Sequence, residues 1–388
     1  MSSKLPLLAL ALGSFGIGTT EFAPMGLLPT IATGVGVSIP TAGLLISAYA
    51  IGVMIGAPLM TLFMSRYRRK SALVLLMGIF VIGNLLSAIA PNYTLLLLSR
   101  VVTSFSHGAF FGLGALVATS LVPVEKRGSA VAIMFSGLTI ANIGGVPVAT
   151  MIGQTIGWRT TFAATAVLGV IAMIGIAKTL PKGEAGKMPE VKKELSVLVR
   201  PVVLRSLATT VLGAGAMFTL YTYITPILER LTHASGEFVT AMLMLIGVGF
   251  TLGNYISGKL VDRSVDGTLI LFFSLLAASM FIMPFSVTSH IGAAVSMVLW
   301  GMMSFGLIGP LQMRVMDAAH EAPGMASSVN IGAFNLGNAL GAALGGGVLS
   351  SGLTYAWIPP AGAVLALLGL VLVVASRASN REFASESA

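Results

Sequence analysis

Long stretches of this chain carry no charge. Residues 206–228, 238–258, 267–313 and 322–376 contain no Asp, Glu, Lys or Arg. Residues 5–65, 71–124 and 128–177 contain one each: Glu21, Arg100 and Arg159. A bilayer-crossing helix needs about 20 apolar residues. The longer stretches therefore hold two helices each and the two short ones hold one, which predicts twelve spans. Turn residues divide the long stretches at Gly34-Val35-Gly36 to Pro40, at Pro91-Asn92, from Gly153 to Gly157, from Ser286 to His290 and at Ser350-Ser351-Gly352. The runs are continuously apolar and do not alternate every second residue, which argues against a transmembrane β-barrel.

Composition narrows the class further. Only 9% of the 388 residues are charged, against roughly 25% in an ordinary soluble domain. That excludes a soluble globular enzyme, a disordered chain and a nucleic-acid binder, in spite of a net charge of +9. There is no Cys, so disulfides and thiolate metal sites are excluded, and the 4 His show no metal-ligand spacing. No metal or cofactor is expected. With the N-terminus inside, 19 of the 22 Lys and Arg residues fall on the cytoplasmic side. Arg159 and Arg230 fall outside, and Arg100 lies within a span. This bias orients the chain with both termini in the cytoplasm.

The fold class expected is an all-α polytopic membrane protein: twelve transmembrane helices in two pseudo-symmetric six-helix bundles. The bundles cover residues 1–180 and 205–376. A charged cytoplasmic linker, 181–204, joins them, with a short surface helix from Glu190 to Leu195 as one reading, and 377–388 form a cytoplasmic tail. An offset of 197 aligns Arg66 with Arg263, Gly52 with Gly249 and Gly56 with Gly253. A shared Gly-x-x-x-Gly ahead of a shared Arg marks the second and eighth spans as equivalent. Two parallel repeats around a midplane site is a known transporter plan.

Several motifs lie in order along this frame. Gly258-Lys259-Leu260-Val261-Asp262-Arg263 fits a G-x-L-x-D-R loop. The matching site in the first half, Thr61 to Lys70, keeps Arg66 and its basic run but lacks the Asp and both Gly. Gly157-Trp158-Arg159-Thr160-Thr161-Phe162 fits W-R-x-x-F. Residues 97–108 are built on Arg100, with Ser104 where Gly is usual. Gly144-Gly145-Val146-Pro147 is a Val-Pro variant of an antiporter motif. Together these resemble the major facilitator superfamily over nearly the whole chain. Thr19-Thr20-Glu21-Phe22, Gly26-Leu27-Leu28-Pro29 and His107 to Gly112 resemble the arabinose efflux permease branch of its twelve-helix drug:proton antiporter family. The resemblance implies export from a bacterial cytoplasm across the inner (plasma) membrane, driven by inward proton flow. It also implies gating roles for Arg66, Arg159, Gly258, Asp262 and Arg263, and the antiporter role of Gly144, Gly145 and Pro147. Bulk and hydrogen-bond arguments alone say only that these last three kink and pack a helix.

Glu21 is the only acid inside a predicted span and Arg100 the only base. A charge at membrane depth is costly and must be paired, neutral or in a wet cavity. Glu21 lies about 24 Å along the first helix from Leu5, and Arg100 about 9 Å below the outer surface, so their depths match. The expectation is that they pair or exchange partners to couple protons, with a static bridge as the rival. His107 follows seven residues later on the same face, about 10 Å deeper. It titrates near physiological pH or serves as a neutral hydrogen-bond donor. Tyr221 and Tyr223 before Pro226, with Asn142, Asn335 and Asn338, are the substrate-contact candidates; each also suits packing between helices.

The reading taken forward is proton-coupled efflux of a small organic molecule by an expected monomer, with the proton gradient as energy source. A proton symporter or uniporter for uptake is the first rival and a membrane receptor without turnover the second. No G-x-x-x-x-G-K-[ST] loop is present, which argues against ATP drive.

Overall fold

A computed structural model describes residues 4–64, 66–123, 126–181, 196–321 and 323–386. The linker residues 182–195, with the surface helix read over Glu190–Leu195, and the last two tail residues lie outside the described residues. Everything regular among the described residues is helical. In chain order the helices are α1 (Lys4–Gly26), α2 (Leu28–Val35), α3 (Ile39–Met64), α4 (Arg69–Ile89), α5 (Tyr93–Ser120) and α6 (Arg127–Ile140). A π-helical turn, Ala141–Gly145, leads to α7 (Val146–Ile152), and a second, Gly153–Gly157, leads to α8 (Trp158–Thr179). The rest is α9 (Pro201–Tyr221), α10 (Ile224–Leu231), α11 (Gly236–Val261), α12 (Val265–Ser286), α13 (His290–Gly306), α14 (Ile308–Ala318), α15 (Pro323–Ser350) and α16 (Ile358–Glu386).

The expected turns have identifiable causes. Gly36 ends α2 at φ 70 and accounts for the first reversal. Asn92 caps α5 through the Leu95 N–H at 3.0 Å, and Ser289 caps α13 through the Gly292 N–H at 3.1 Å. Between α7 and α8 the backbone never leaves helical hydrogen bonding until Gly157, whose φ of 131 is open to Gly alone. The chain then doubles back, since the Thr161 hydroxyl donates to the Ala149 carbonyl at 2.9 Å. Two boundaries shift against expectation. α9 starts at Pro201, ahead of residue 205, because Pro suits the first helical turn. The backbone of α16 stays helical to Glu386, through most of the predicted tail.

Ten helical runs long and apolar enough to cross a membrane lie among the described residues, one of them the 50-residue run from Ala130 to Thr179. Their outward faces are as apolar as their cores. Phe285 is 80% exposed, Ile291 81% and Ile89 72%. In water such surfaces would drive aggregation; in a bilayer they meet lipid.

The chain forms two compact units, residues 1–189 with 235–244 and residues 190–234 with 245–388. In the first, α1 packs on α6 and α8, and α4 packs on α5 and α8. In the second, α9 packs on α15 and α16, and α12 on α13 and α16. The offset of 197 relates these pairings residue by residue. α3 and α11 match at both ends, and so do the caps Asn92 and Ser289. A Cβ on Gly52 would meet Val101 and Ser104, and one on Gly249 would meet Val298 and Gly301. Gly56 faces Phe105 and Gly253 faces Met302. The same fold is therefore built twice by one chain, and each half serves as an internal control for the other.

Candidate functional site

The first unit holds a continuous run of buried polar side chains from four helices. Glu21 on α1 is 6% exposed, Arg100 on α5 1% and His107 on α5 6%. The Glu21 carboxylate lies 3.9 Å from His107 Nε2. On the other side of that ring, His107 Nδ1 is 3.1 Å from the Tyr49 hydroxyl of α3. The Arg100 guanidinium lies over the Tyr49 ring at 4.3 Å, and over Phe162 at 5.6 Å. Its amino groups donate to Thr20, at 3.2 Å to the hydroxyl and 2.9 Å to the carbonyl. Thr20 in turn donates to Asn84 Oδ1 of α4 at 2.6 Å, and Asn84 donates to the Phe80 carbonyl at 2.9 Å.

Glu21 and Arg100 do not form the direct ion pair expected from their depth. Arg100 is held by Thr20, one residue before Glu21, which turns the guanidinium to the neighbouring side of α1. Its charge still acts on Glu21, Tyr49 and His107 through space. Two charged hydrogen bonds and two aromatic faces stabilise the buried cation. Its Nε has no partner. The Glu21 carboxylate instead faces an imidazole that Tyr49 orients. When the Tyr49 hydroxyl donates to Nδ1, the proton of a neutral His107 sits on Nε2, facing Glu21. The arrangement can pass a proton between a carboxyl and an imidazole while a fixed positive charge stays nearby.

Tyr49, Thr20 and Asn84 escaped the residue-by-residue sequence reading. Thr20 stood inside the Thr19-Thr20-Glu21-Phe22 motif. Tyr49 and Asn84 carry no local signal beyond being hydrogen-bonding side chains in charge-free spans.

The substrate-contact candidates are divided between the two units. Asn142 belongs to the first unit, in the π-helical turn, and donates to the Leu138 carbonyl at 3.0 Å. Its Oδ1 is buried without a partner. The others belong to the second unit. α9 and α10 break at Thr222–Tyr223, as expected near Pro226. Tyr223 is fully buried and its hydroxyl donates to the Ala342 carbonyl at 2.9 Å, which fixes the break against α15. Tyr221 packs edge-on against Phe250 and beside Trp300, each at 5.6 Å. Asn335 donates to the Ile331 carbonyl at 2.9 Å. The Oδ1 atoms of Asn335 and Asn338 are buried without a partner, as are Trp300 Nε1, Ser304 Oγ and Thr222 Oγ1. Trp300 and Ser304 of α13 are additions that the sequence did not single out.

The motif residues separate by surroundings. Arg159 donates to the Ala90 carbonyl at 2.8 Å and caps the C-terminus of α4, stacked on Trp158 at 4.1 Å. Gly145 admits α1, since a Cβ there would lie 2.5 Å from the Thr19 hydroxyl and 3.0 Å from Phe15. Gly144 faces nothing within 4 Å. Pro147 directly follows the π-helical turn Ala141–Gly145 inside continuous helical backbone, where it has no N–H to return to the preceding turn. Arg66 is exposed and lies over Phe63 at 5.2 Å. Gly258, Asp262 and Arg263 are exposed, and neither charge forms an ion pair among the described residues. The charge contacts implied by the loop motif are not seen among the described residues.

The Major Facilitator Superfamily model matches residues 10–342. The chain belongs to the Major Facilitator Superfamily. It is 64% identical over 382 residues to the inner membrane transport protein YdhP of Escherichia coli (strain K12), covering 98% of both chains. It is 32% identical over 341 residues to a chloramphenicol resistance protein of Streptomyces lividans, covering 87% of each. Among solved structures, a D-xylose-proton symporter superposes with a TM-score of 0.78 at 16% identity, covering 96% of this chain and 97% of that one. At that identity the likeness is one of fold. This superfamily member is a multi-pass inner-membrane transport protein and not an enzyme.

Proposed function

We propose that this transporter exports a small organic molecule in exchange for protons, by alternating access of its two bundles. The polar chain of the first unit carries the reading. At the offset of 197, Thr20, Glu21, Tyr49, Asn84, Arg100 and His107 correspond to Met217, Phe218, Ile246, Phe281, Met297 and Ser304. The second unit completes the same helical packing with mostly apolar residues at those positions. Packing therefore does not require the chain, and a buried ion costs stability unless it has work to do. Glu21 and His107 exchange the transported proton, and Arg100 sets the field in which they do so.

Twelve crossings follow when the 50-residue run is divided at Gly157 and α15 is counted. The Lys/Arg-rich loops support cytoplasmic termini. Tyr221, Asn335, Asn338 and Trp300 of the second unit are the side chains offered to substrate, and Asn142 is the candidate of the first unit. Amide oxygens and an indole N–H buried without partners suit a ligand with hydroxyl, amine or amide groups beside an apolar body. Tyr223 holds the α9–α10 break that opens and closes over it. Arg66, Gly258, Asp262 and Arg263 act at loops that re-pair in another state of the cycle, and Arg159, Gly144, Gly145 and Pro147 shape the moving helices. The chain works as a monomer on the proton gradient alone. The drug-resistance relative and the arabinose efflux branch support export.

The test uses vesicles with the cytoplasmic face outward and an acid interior. A ligand first identified by thermal shift of the purified protein should dissipate the gradient when added outside, as protons leave in exchange for its entry. Ligand entry with protons moving the same way would make the protein a symporter.

A further inference from the structure

The second unit has a charged pocket. It measures about 380 Å³ and lies at the Lys/Arg-rich end, where the first turns of α9 and α12 meet the last turn of α14 and Ser376 and Arg377 of α16. Arg205, Asp266, Arg314, Asp317 and Arg377 line it. Arg314 donates to Asp266 at 3.0 Å, with its side chain 11% exposed. Arg205 is not ion-paired among the described residues. Its Nε donates to the Pro201 carbonyl at 3.3 Å, and its charge bears on Arg314 through space. Three guanidiniums from three helices thus share one pocket with two carboxylates, of which one is committed to Arg314.

The internal repeat decides whether this is scaffold. At the offset of 197 the five residues correspond to Leu8, Arg69, Val117, Ser120 and Leu180. The counterparts of the three arginines are all uncharged, and the whole lining maps onto positions whose only charges are Arg68 and Arg69. Like-charged arginines held together cost free energy that an anion between them offsets. We infer that this pocket binds a phosphate anion, with Arg205 and Arg377 as the recruiting groups and Arg314 fixed by Asp266 as the floor. Guanidinium groups suit phosphate because they donate in a fixed fork. The phosphate belongs either to an anionic phospholipid headgroup or to a soluble phosphate compound.

Native mass spectrometry on delipidated full-length protein tests this, with phosphatidylglycerol and phosphatidylcholine added at equal concentration. Wild type should retain phosphatidylglycerol preferentially, and Arg205→Gln/Arg377→Gln should reduce that preference about tenfold or more. Asp317→Asn should raise it, a gain that misfolding cannot produce. Inorganic phosphate assigns the source. A phosphate-dependent thermal shift that is lost in Arg205→Gln/Arg377→Gln, without lipid preference, marks a soluble ligand. Preference for phosphatidylglycerol that millimolar phosphate does not displace marks a lipid. If wild type, the double variant and Asp317→Asn bind both probes equally, no phosphate site exists there.

Discussion

The cation at position 100 costs least when every group around it is fixed, and Thr20 does most of the fixing. Thr20→Val removes one hydrogen bond to Arg100 and the bond to Asn84 while keeping volume. It should destabilise the purified protein by about 1–3 kcal/mol, seen as a lower unfolding midpoint. Tyr49→Phe is the complementary change. It keeps the ring beneath Arg100 and deletes the hydroxyl that orients His107. It should cost about 1–2 kcal/mol for the lost buried hydrogen bond, while ligand-driven proton flux should fall and its pH profile should move, because His107 is then free to take either tautomer. An unchanged profile would remove Tyr49 from the mechanism. Glu21, Arg100 and His107 could be singled out from sequence because Glu21 and Arg100 are the only charges in their otherwise charge-free stretches and His107 shares the helix face of Arg100. Their partners could not. Which neighbour a side chain meets depends on helix rotation and on a third helix, and Tyr49 sits 58 residues from His107.

Helices here approach one another through glycines, and the close contacts separate packing residues from spacious ones. Gly145→Ala should destabilise by about 1–3 kcal/mol through overpacking against Thr19 and Phe15. Gly144→Ala, with open space, should be near neutral. Likewise Gly253→Ala meets the Met302 backbone, with its carbonyl carbon at 2.8 Å, and should be worse than Gly258→Ala, which meets nothing within 4 Å. Thermal unfolding of the four purified variants gives both comparisons. The repeat register was legible because Gly and Arg recur at one spacing. The π-helical turns in the fifth span were not, since a π turn inserts one residue into a helix without altering its apolar pattern. Nor was the break at Leu27, although Pro24, Gly26 and Pro29 flank it.

At the scale of the whole molecule, the absence of Cys makes topology directly measurable. A membrane-impermeant maleimide should label Thr288→Cys and Ser351→Cys in intact cells, and Tyr67→Cys and His320→Cys only after permeabilisation. All four positions are exposed. The opposite pattern would invert the chain. The halves share one packing scheme yet diverge in chemistry. A polar chain occupies the first and most of the unpartnered hydrogen-bonding groups occupy the second, and under the proposed function the former handles protons and the latter does most of the substrate recognition. That division rests most heavily on Glu21. The direct measurement is ligand-dependent proton movement in vesicles carrying wild type or Glu21→Gln, with ligand binding checked by thermal shift. Wild type should move protons in exchange for ligand, and Glu21→Gln should bind ligand yet move none. Proton movement by Glu21→Gln at the wild-type rate would contradict the account.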